Sequence, residues 1–374
     1  MLTKTKIYLS SPHMGGSEQK FVDEAFRTNW ISPLGPNVDG FEEDLRQYLG
    51  NNKYVAALSS GTAAIHLALQ LLNVSKGDEV MCQSFTFSAS ANPIMYQGAT
   101  PVFIDSESDT WNMSPELLEV AIKDRIEKYK KPKAIIAVHL YGMPYKANEI
   151  NAIAEKYEIP VIEDSAEALG STYFGKTCGT LSDIAILSFN GNKIITTSGG
   201  GALITNDLEL KNKAVFLSTQ ARDKAPHYEH STVGFNYRMS NVLAGIGRGQ
   251  MEVLDDRVKA RRENYNFYKT NLSNIDSISF LEEPEGFFSN RWITCIKTDS
   301  YETREAIRHA LLEDDVESRP LWKPMHVQPV YKDCLNFTNG ISEDLFDKGL
   351  CLPSGSDLSQ DDLNRIINLI TKTL

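Results

Sequence analysis

From residue 53 to about residue 220 the chain alternates short apolar, β-like runs with helical stretches, and this alternation limits the possible folds more than any other feature. The β-like runs are 53–58, 79–83, 101–104, 134–138, 160–163, 183–188 and 202–204. Helical patterns separate most of them. One, 114–129, opens with Ser114 as N-cap and Pro115 at the first helical position; another, 146–157, stops before Pro160. Such alternation folds as a mostly parallel sheet with helices on both faces. Ligands of these sheets bind beyond the carboxyl ends of the strands.

Three segments place chemistry at such strand ends. The run Asp183–Ser188 empties into a Gly/Asn turn that ends in Lys193, with Gly199, Gly200 and Gly201 following. The run Ile159–Ile162 ends in Glu163 and Asp164. Lys53–Leu58 passes through Ser59, Ser60, Gly61 and Thr62 into the apolar helical stretch Ala63–Leu72. A strand, a small-residue turn and a helix N-terminus form an anion site, because free N–H groups and the helix dipole both favour phosphate. An amine beside a carboxylate and a phosphate site is what a pyridoxal phosphate enzyme requires: an amine to bond the aldehyde, and an acid to hold the ring nitrogen protonated. Taken singly, each segment has a structural alternative: a solvated lysine, a helix-capping aspartate and an ordinary capped βα turn.

The segments together resemble the DegT/DnrJ/EryC1/StrS family of sugar-nucleotide aminotransferases. The resemblance rests on Ser59–His66, Phe85–Ala89, Glu163–Gly170, Ser188-Phe189 with Lys193 and the trailing glycines, and Gly234–Met239, which fall in the family's order between about residues 8 and 355. It implies fold type I, the aspartate-aminotransferase-like α/β fold, with a mostly parallel sheet flanked by helices in a large domain and a smaller α/β C-terminal domain. We place the division at residues 1–255 and 256–374, with the first ~30 residues contributing to the substrate site.

By that resemblance Lys193 is the residue that bonds pyridoxal 5′-phosphate and moves the substrate proton. Asp164 pairs with the ring nitrogen, and Phe87 stacks on the ring. Gly61, Thr62 and Ala63 hold the phosphate together with the Ser188 hydroxyl. Asn236 matches a residue that reaches the cofactor phosphate of a neighbouring subunit, which implies a homodimer with shared active sites. Glu167 stands where a glutamine often meets the phenolic oxygen of the cofactor, and a carboxylate there is unfavourable unless protonated or turned aside.

Alternatives stay open at several positions. Phe87 could fill core, since Phe85 and Phe87 alternate as in a half-buried strand, and Glu163 rather than Asp164 could be the functional acid. His139 reads as a satisfied strand-end histidine rather than a base, and His66 as a hydrogen-bonded core residue within an apolar helix.

Substrate choice is expected to lie in two proline-marked segments, Thr28–Gly35 and Arg319–Pro329, with Asn29, Trp30, Ile31, Lys323 and His326 as candidate contacts. Aromatic surface suits a nucleotide base, and cations suit a diphosphate. The rival reading is interface packing by Trp30 and Trp322. The two segments resemble the branch that aminates C4 of UDP-linked 4-keto-6-deoxy (2-acetamido) hexoses in surface-glycan biosynthesis, as in bacillosamine-type pathways, with L-glutamate as donor. GDP- and dTDP-linked sugars are the nearest competitors. A non-catalytic relative, or a dehydratase with histidine in place of the lysine, is disfavoured by Lys193.

Composition sets the remaining limits. With 374 residues, 41% hydrophobic and 23% charged, the chain has the make-up of a globular protein large enough for two cores. A net charge of −11 disfavours general nucleic-acid or membrane-surface binding. The five cysteines show no C-x-x-C spacing, which argues against a zinc site or a disulfide scaffold, and no apolar run is long enough to span a bilayer; no metal is expected. A cytoplasmic location is expected. No G-x-G-x-x-G follows the first strand, which removes a Rossmann dehydrogenase.

Overall fold

A computed structural model describes residues 5–374. The strands used below are β1 Tyr54–Leu58, β2 Glu79–Gln83, β3 Thr100–Ile104, β4 Ala134–Val138, β5 Val161–Asp164, β6 Ile184–Ser188, β7 Gly201–Thr205, β8 Ile278–Phe280, β9 Thr294–Thr298, β10 Arg319–Pro320, β11 Asn336–Phe337 and β12 Gly349–Leu352. The first three helices are α1 Glu18–Arg27, α2 Pro36–Leu49 and α3 Gly61–Leu71.

Eight strands form the main sheet in the order β1-β7-β6-β5-β4-β2-β3-β11. From β6 to β11 every pair is parallel, and β7 runs antiparallel to both β6 and β1. The expected alternation and mostly parallel sheet are therefore present. Most of these strands are buried on both faces, so they read as continuous apolar runs such as Ala134-Ile135-Ile136-Ala137-Val138. One face packs on α3 through Ile65, Ala68 and Leu69; another cluster, from α2, β1 and β7, gathers around Phe41, Leu45 and Phe189.

Beyond the main sheet, the 19-residue helix Leu254–Leu272 leads into an antiparallel sheet ordered β8-β9-β12-β10. Its core, with Ile296, Ile307, Leu350 and Ile366, also takes in Ile7 from the start of the chain. In the other direction β11 returns to the edge of the main sheet, pairing Asn336 with Phe103 and Phe337 with Ile104. All five cysteines are free. Among the described residues no helix is long and apolar enough to cross a membrane.

Candidate active site

The carboxyl ends of β5 and β6 meet the N-terminus of α3 at a cavity of about 310 Å³, lined by Ser60, Gly61, Thr62, Phe87, Asp164, Glu167, Ser188 and Lys193 among others. Three segments spread over more than a hundred residues of sequence converge because parallel strands put all their outgoing turns on one side.

The pleat of β5 turns its two acids to opposite faces. Glu163 faces away from the cavity and accepts hydrogen bonds from His139 Nε2 (2.8 Å), Ser165 Oγ (3.0 Å) and the Leu181 N–H (2.7 Å). Burial opposes its ionisation, but His139 and the Gly179 and Leu181 amides outweigh that and hold it below the usual carboxylate range. Asp164 faces the cavity, where Ser90 Oγ donates to its Oδ2 (2.7 Å) and the Ala166 N–H to its Oδ1 (3.1 Å). Burial pushes the Asp164 carboxyl up, with Ser90, the Ala166 amide and the Lys193 charge pulling the other way. The geometry thus separates the two acids: Glu163 is a structural acceptor, and Asp164 is the acid available to a ligand.

Lys193 leaves the turn after β6. Its own N–H donates to Asn190 O (3.0 Å), and the carbonyl of Asn192 accepts from Ser10 Oγ (2.8 Å) and Trp292 Nε1 (2.7 Å). Lys193 Nζ lies 4.1 Å from the Trp292 ring centroid and 3.5 Å from Glu167 Oε1. Glu167 is buried, and its Oε2 accepts the Tyr141 N–H at 2.7 Å. Burial pushes Glu167 up, opposed by Lys193 and that amide.

At the start of α3, Ser60 caps the helix by accepting the Ala63 N–H at 3.0 Å. The Ala63 N–H is engaged by that cap, and Gly61 and Thr62 are the residues of the helix start that line the cavity. A Cβ on Gly61 would lie 3.1 Å from Ser188 Cβ, so glycine allows the strand end and helix end to approach. Phe85 is fully buried while Phe87 is half-exposed in the cavity wall, so Phe87 is not core filling. The donor set fits a phosphate-bearing aldehyde with a basic ring nitrogen: a helix N-terminus with hydroxyls, an amine, and a buried acid whose side chain, among the described residues, is hydrogen-bonded by Ser90 and the Ala166 amide and by no cation.

Of the two specificity segments, Trp322 reaches the cavity, 5.3 Å from Phe87 and stacked on Tyr141 at 5.7 Å. Lys323 is exposed outside it, and His326 is engaged by Ser84 Oγ (2.6 Å) and Glu343 Oε1 (3.2 Å). Asn29, Trp30, Ile31 and Asn236 are exposed and lie outside the cavity of their own chain. His139 and His66 are satisfied, His139 by Glu163 and the Tyr145 N–H, His66 by the Tyr237 hydroxyl at 3.1 Å. Sequence reasoning missed Ser90 and Trp292. Ser90 sits one residue past the quoted Phe85–Ala89 stretch, whereas nothing local links Trp292 to a lysine 99 positions earlier.

This fold and this site define a fold type I, pyridoxal phosphate-dependent aminotransferase. The chain belongs to the DegT/DnrJ/EryC1/StrS aminotransferase family, whose profile matches residues 12–371. It is 53% identical over 369 residues to EpsN of Bacillus subtilis (strain 168), provisionally named a pyridoxal phosphate-dependent aminotransferase, covering 98% of this chain and 95% of that protein. It is 38% identical over 361 residues to the GDP-perosamine synthase of Escherichia coli O157:H7, covering 96% of each. The fold superposes with a TM-score of 0.91 and 28% identity on the PLP form of Spr1654 from Streptococcus pneumoniae, provisionally named a sugar aminotransferase, over 99% of this chain and 100% of that one.

Proposed function

We propose that the protein transfers the amino group of L-glutamate to C4 of a UDP-linked 4-keto-6-deoxy (2-acetamido) hexose, as a cytoplasmic step in surface-glycan biosynthesis. The observation that carries the reaction type is the convergence of Lys193, Asp164 and the free N-terminus of α3 on one cavity. Bound pyridoxal phosphate supplies the aldehyde that carries the amino group and the ring that draws electrons from the donor carbon.

The residues divide the remaining work. Gly61, Thr62 and Ser188 would hold the phosphate, and Phe87 would stack on the ring. Asp164 holds a proton on the ring nitrogen, which keeps the ring cationic. Lys193 Nζ would carry the proton between the donor Cα and the aldehyde carbon of the cofactor. Glu167 and Trp292 flank the lysine and keep water from it. Phe87 and Trp322 present aromatic surface at the wall for the sugar nucleotide. Asn236 lies outside its own chain's cavity, as expected of a residue that reaches the cofactor phosphate of the other copy in a homodimer, and Asn29, Trp30 and Ile31 are exposed for the sugar nucleotide. Lys323 is exposed and free to meet a diphosphate, whereas His326 would first have to leave Ser84 and Glu343.

A GDP-linked sugar is the second reading, favoured by the 38% identity to a GDP-perosamine synthase. A single-turnover assay separates the two. Glutamate first converts the bound cofactor to its amine form; UDP-, GDP- and dTDP-linked 4-keto-6-deoxy sugars are then offered in parallel. Recovery of the aldehyde spectrum with the UDP sugar supports the proposal, and recovery with the GDP sugar alone replaces it with the second reading.

A further inference from the structure

We propose that Ser90 is a positioning residue, whose hydroxyl fixes the Asp164 carboxylate in the orientation and charge state that a protonated ring nitrogen requires; the inference rests on the cofactor reading of this cavity. Ser90 Oγ lies 2.7 Å from Asp164 Oδ2, and both residues are buried, at 2% and 3% exposure. A serine hydroxyl has one proton, and an ionised carboxylate can only accept. The Ser90 proton is thus committed to Asp164. The 2.9 Å contact between Thr86 Oγ1 and Ser90 Oγ must then be donated by Thr86, so the chain runs in one direction, Thr86 to Ser90 to Asp164. The other oxygen, Oδ1, takes the Ala166 N–H at 3.1 Å. Both oxygens are held, and the carboxylate has one way to face.

The same short turn, Ser88–Ser90, follows directly on Phe87, so one piece of backbone carries both the ring-facing aromatic and the group that orients the acid. Charged and titratable groups around Asp164 are Lys193, His139, Glu167 and Cys82. Lys193 and His139 favour the carboxylate; Glu167 and Cys82, when ionised, oppose it. Burial pushes the Asp164 carboxyl up, and Ser90 is the strongest of the influences that offset it. A hydrogen bond to a charged group in a low-dielectric site is among the stronger single contacts a protein makes.

The test titrates cofactor-free wild type, Ser90→Ala and Ser90→Thr with pyridoxal phosphate between about pH 5 and pH 9, reading affinity from absorbance. The alanine variant should bind roughly tenfold more weakly. Its loss should grow as pH falls, with the acid limb moved up by about one pH unit, because a carboxyl without its donor protonates earlier. Ser90→Thr keeps the hydroxyl and should restore both. An equal loss at every pH, an unchanged curve, or a threonine variant that behaves like alanine overturns the inference. A wild type that takes up no pyridoxal phosphate at any pH overturns instead the cofactor reading on which it rests.

Discussion

Lys193 Nζ lies 3.5 Å from Glu167 Oε1, an ion pair in which both partners are largely withdrawn from solvent. Asp164 faces the same cavity, so two buried carboxylates share one ammonium there. The Glu167 acid is locked in place by the Tyr141 amide, and Tyr141 adopts φ +54° to present it. A tyrosine in the left-handed region costs of order 1 kcal/mol, which the stacking of Tyr141 between Trp292 and Trp322 offsets.

The sign of the Glu167 contribution to stability follows from its burial. Its folded carboxyl is harder to ionise than the unfolded one, so the unfolded chain releases that proton first. Stability of the cofactor-free protein falls as pH rises from the ordinary carboxylate range through the raised folded value. Glu167→Gln keeps an acceptor for the Tyr141 N–H and removes the charge. Its melting temperature should gain on wild type as pH rises from about 4 to 8 and converge with it at the acid end. A melting-temperature difference that is flat across this range contradicts the assignment of a buried, reluctantly ionised carboxyl.

Gly201 opens β7 against the turn that begins α3, and a Cβ there would collide with the Ser60 carbonyl and the Gly61 nitrogen. Gly201→Ala should cost about 1–3 kcal/mol as overpacking. It should also loosen cofactor binding, since the displaced backbone is the proposed phosphate cradle. Thermal denaturation with and without pyridoxal phosphate measures both effects. A destabilised variant with undiminished cofactor affinity would detach Gly61 from phosphate binding.

Much of this was legible in the chain itself, for a physical reason. Parallel strands are buried on both faces and announce themselves as apolar runs, so the seven β-like runs coincide with β1 to β7 to within a residue at each end. Asp164, Lys193 and the Ser60–Thr62 turn are strand-end residues, and strand ends of one sheet converge by topology. Contacts made across the fold carry no such pattern. Trp292 meets Lys193 only after the antiparallel sheet docks beside the main one, and the two-residue β11 is too short to announce itself by pattern. At Ala63 the sequence does not show that the Ser60 hydroxyl caps the helix on that amide. The segment Arg319–Pro329 was legible as a unit but not in its facing, since Trp322 turns into the cavity and His326 away to Ser84.

Asp164→Asn keeps the shape of the acid and removes its charge. The variant should still bind pyridoxal phosphate through the α3 terminus, while transamination slows by orders of magnitude because the ring nitrogen loses the partner that holds its proton. Stopped-flow absorbance of the glutamate half-reaction measures this without a sugar substrate. Near-normal rates would show that the acid facing the cavity is not the one that matters, even though Glu163 is committed to His139 and backbone amides.

Lys193, in a cavity it shares with Asp164 and the N-terminus of α3, is the proposed point of attachment of pyridoxal phosphate. The direct measurement is borohydride reduction of the cofactor-loaded protein, followed by peptide mapping. We predict a yellow protein whose visible band is lost on reduction, with the cofactor fixed to Lys193 alone. Lys193→Ala should bind the cofactor without fixing it and should not turn over. A colourless protein that takes up no pyridoxal phosphate, or a label carried by another lysine, would rule out Lys193 as that point of attachment.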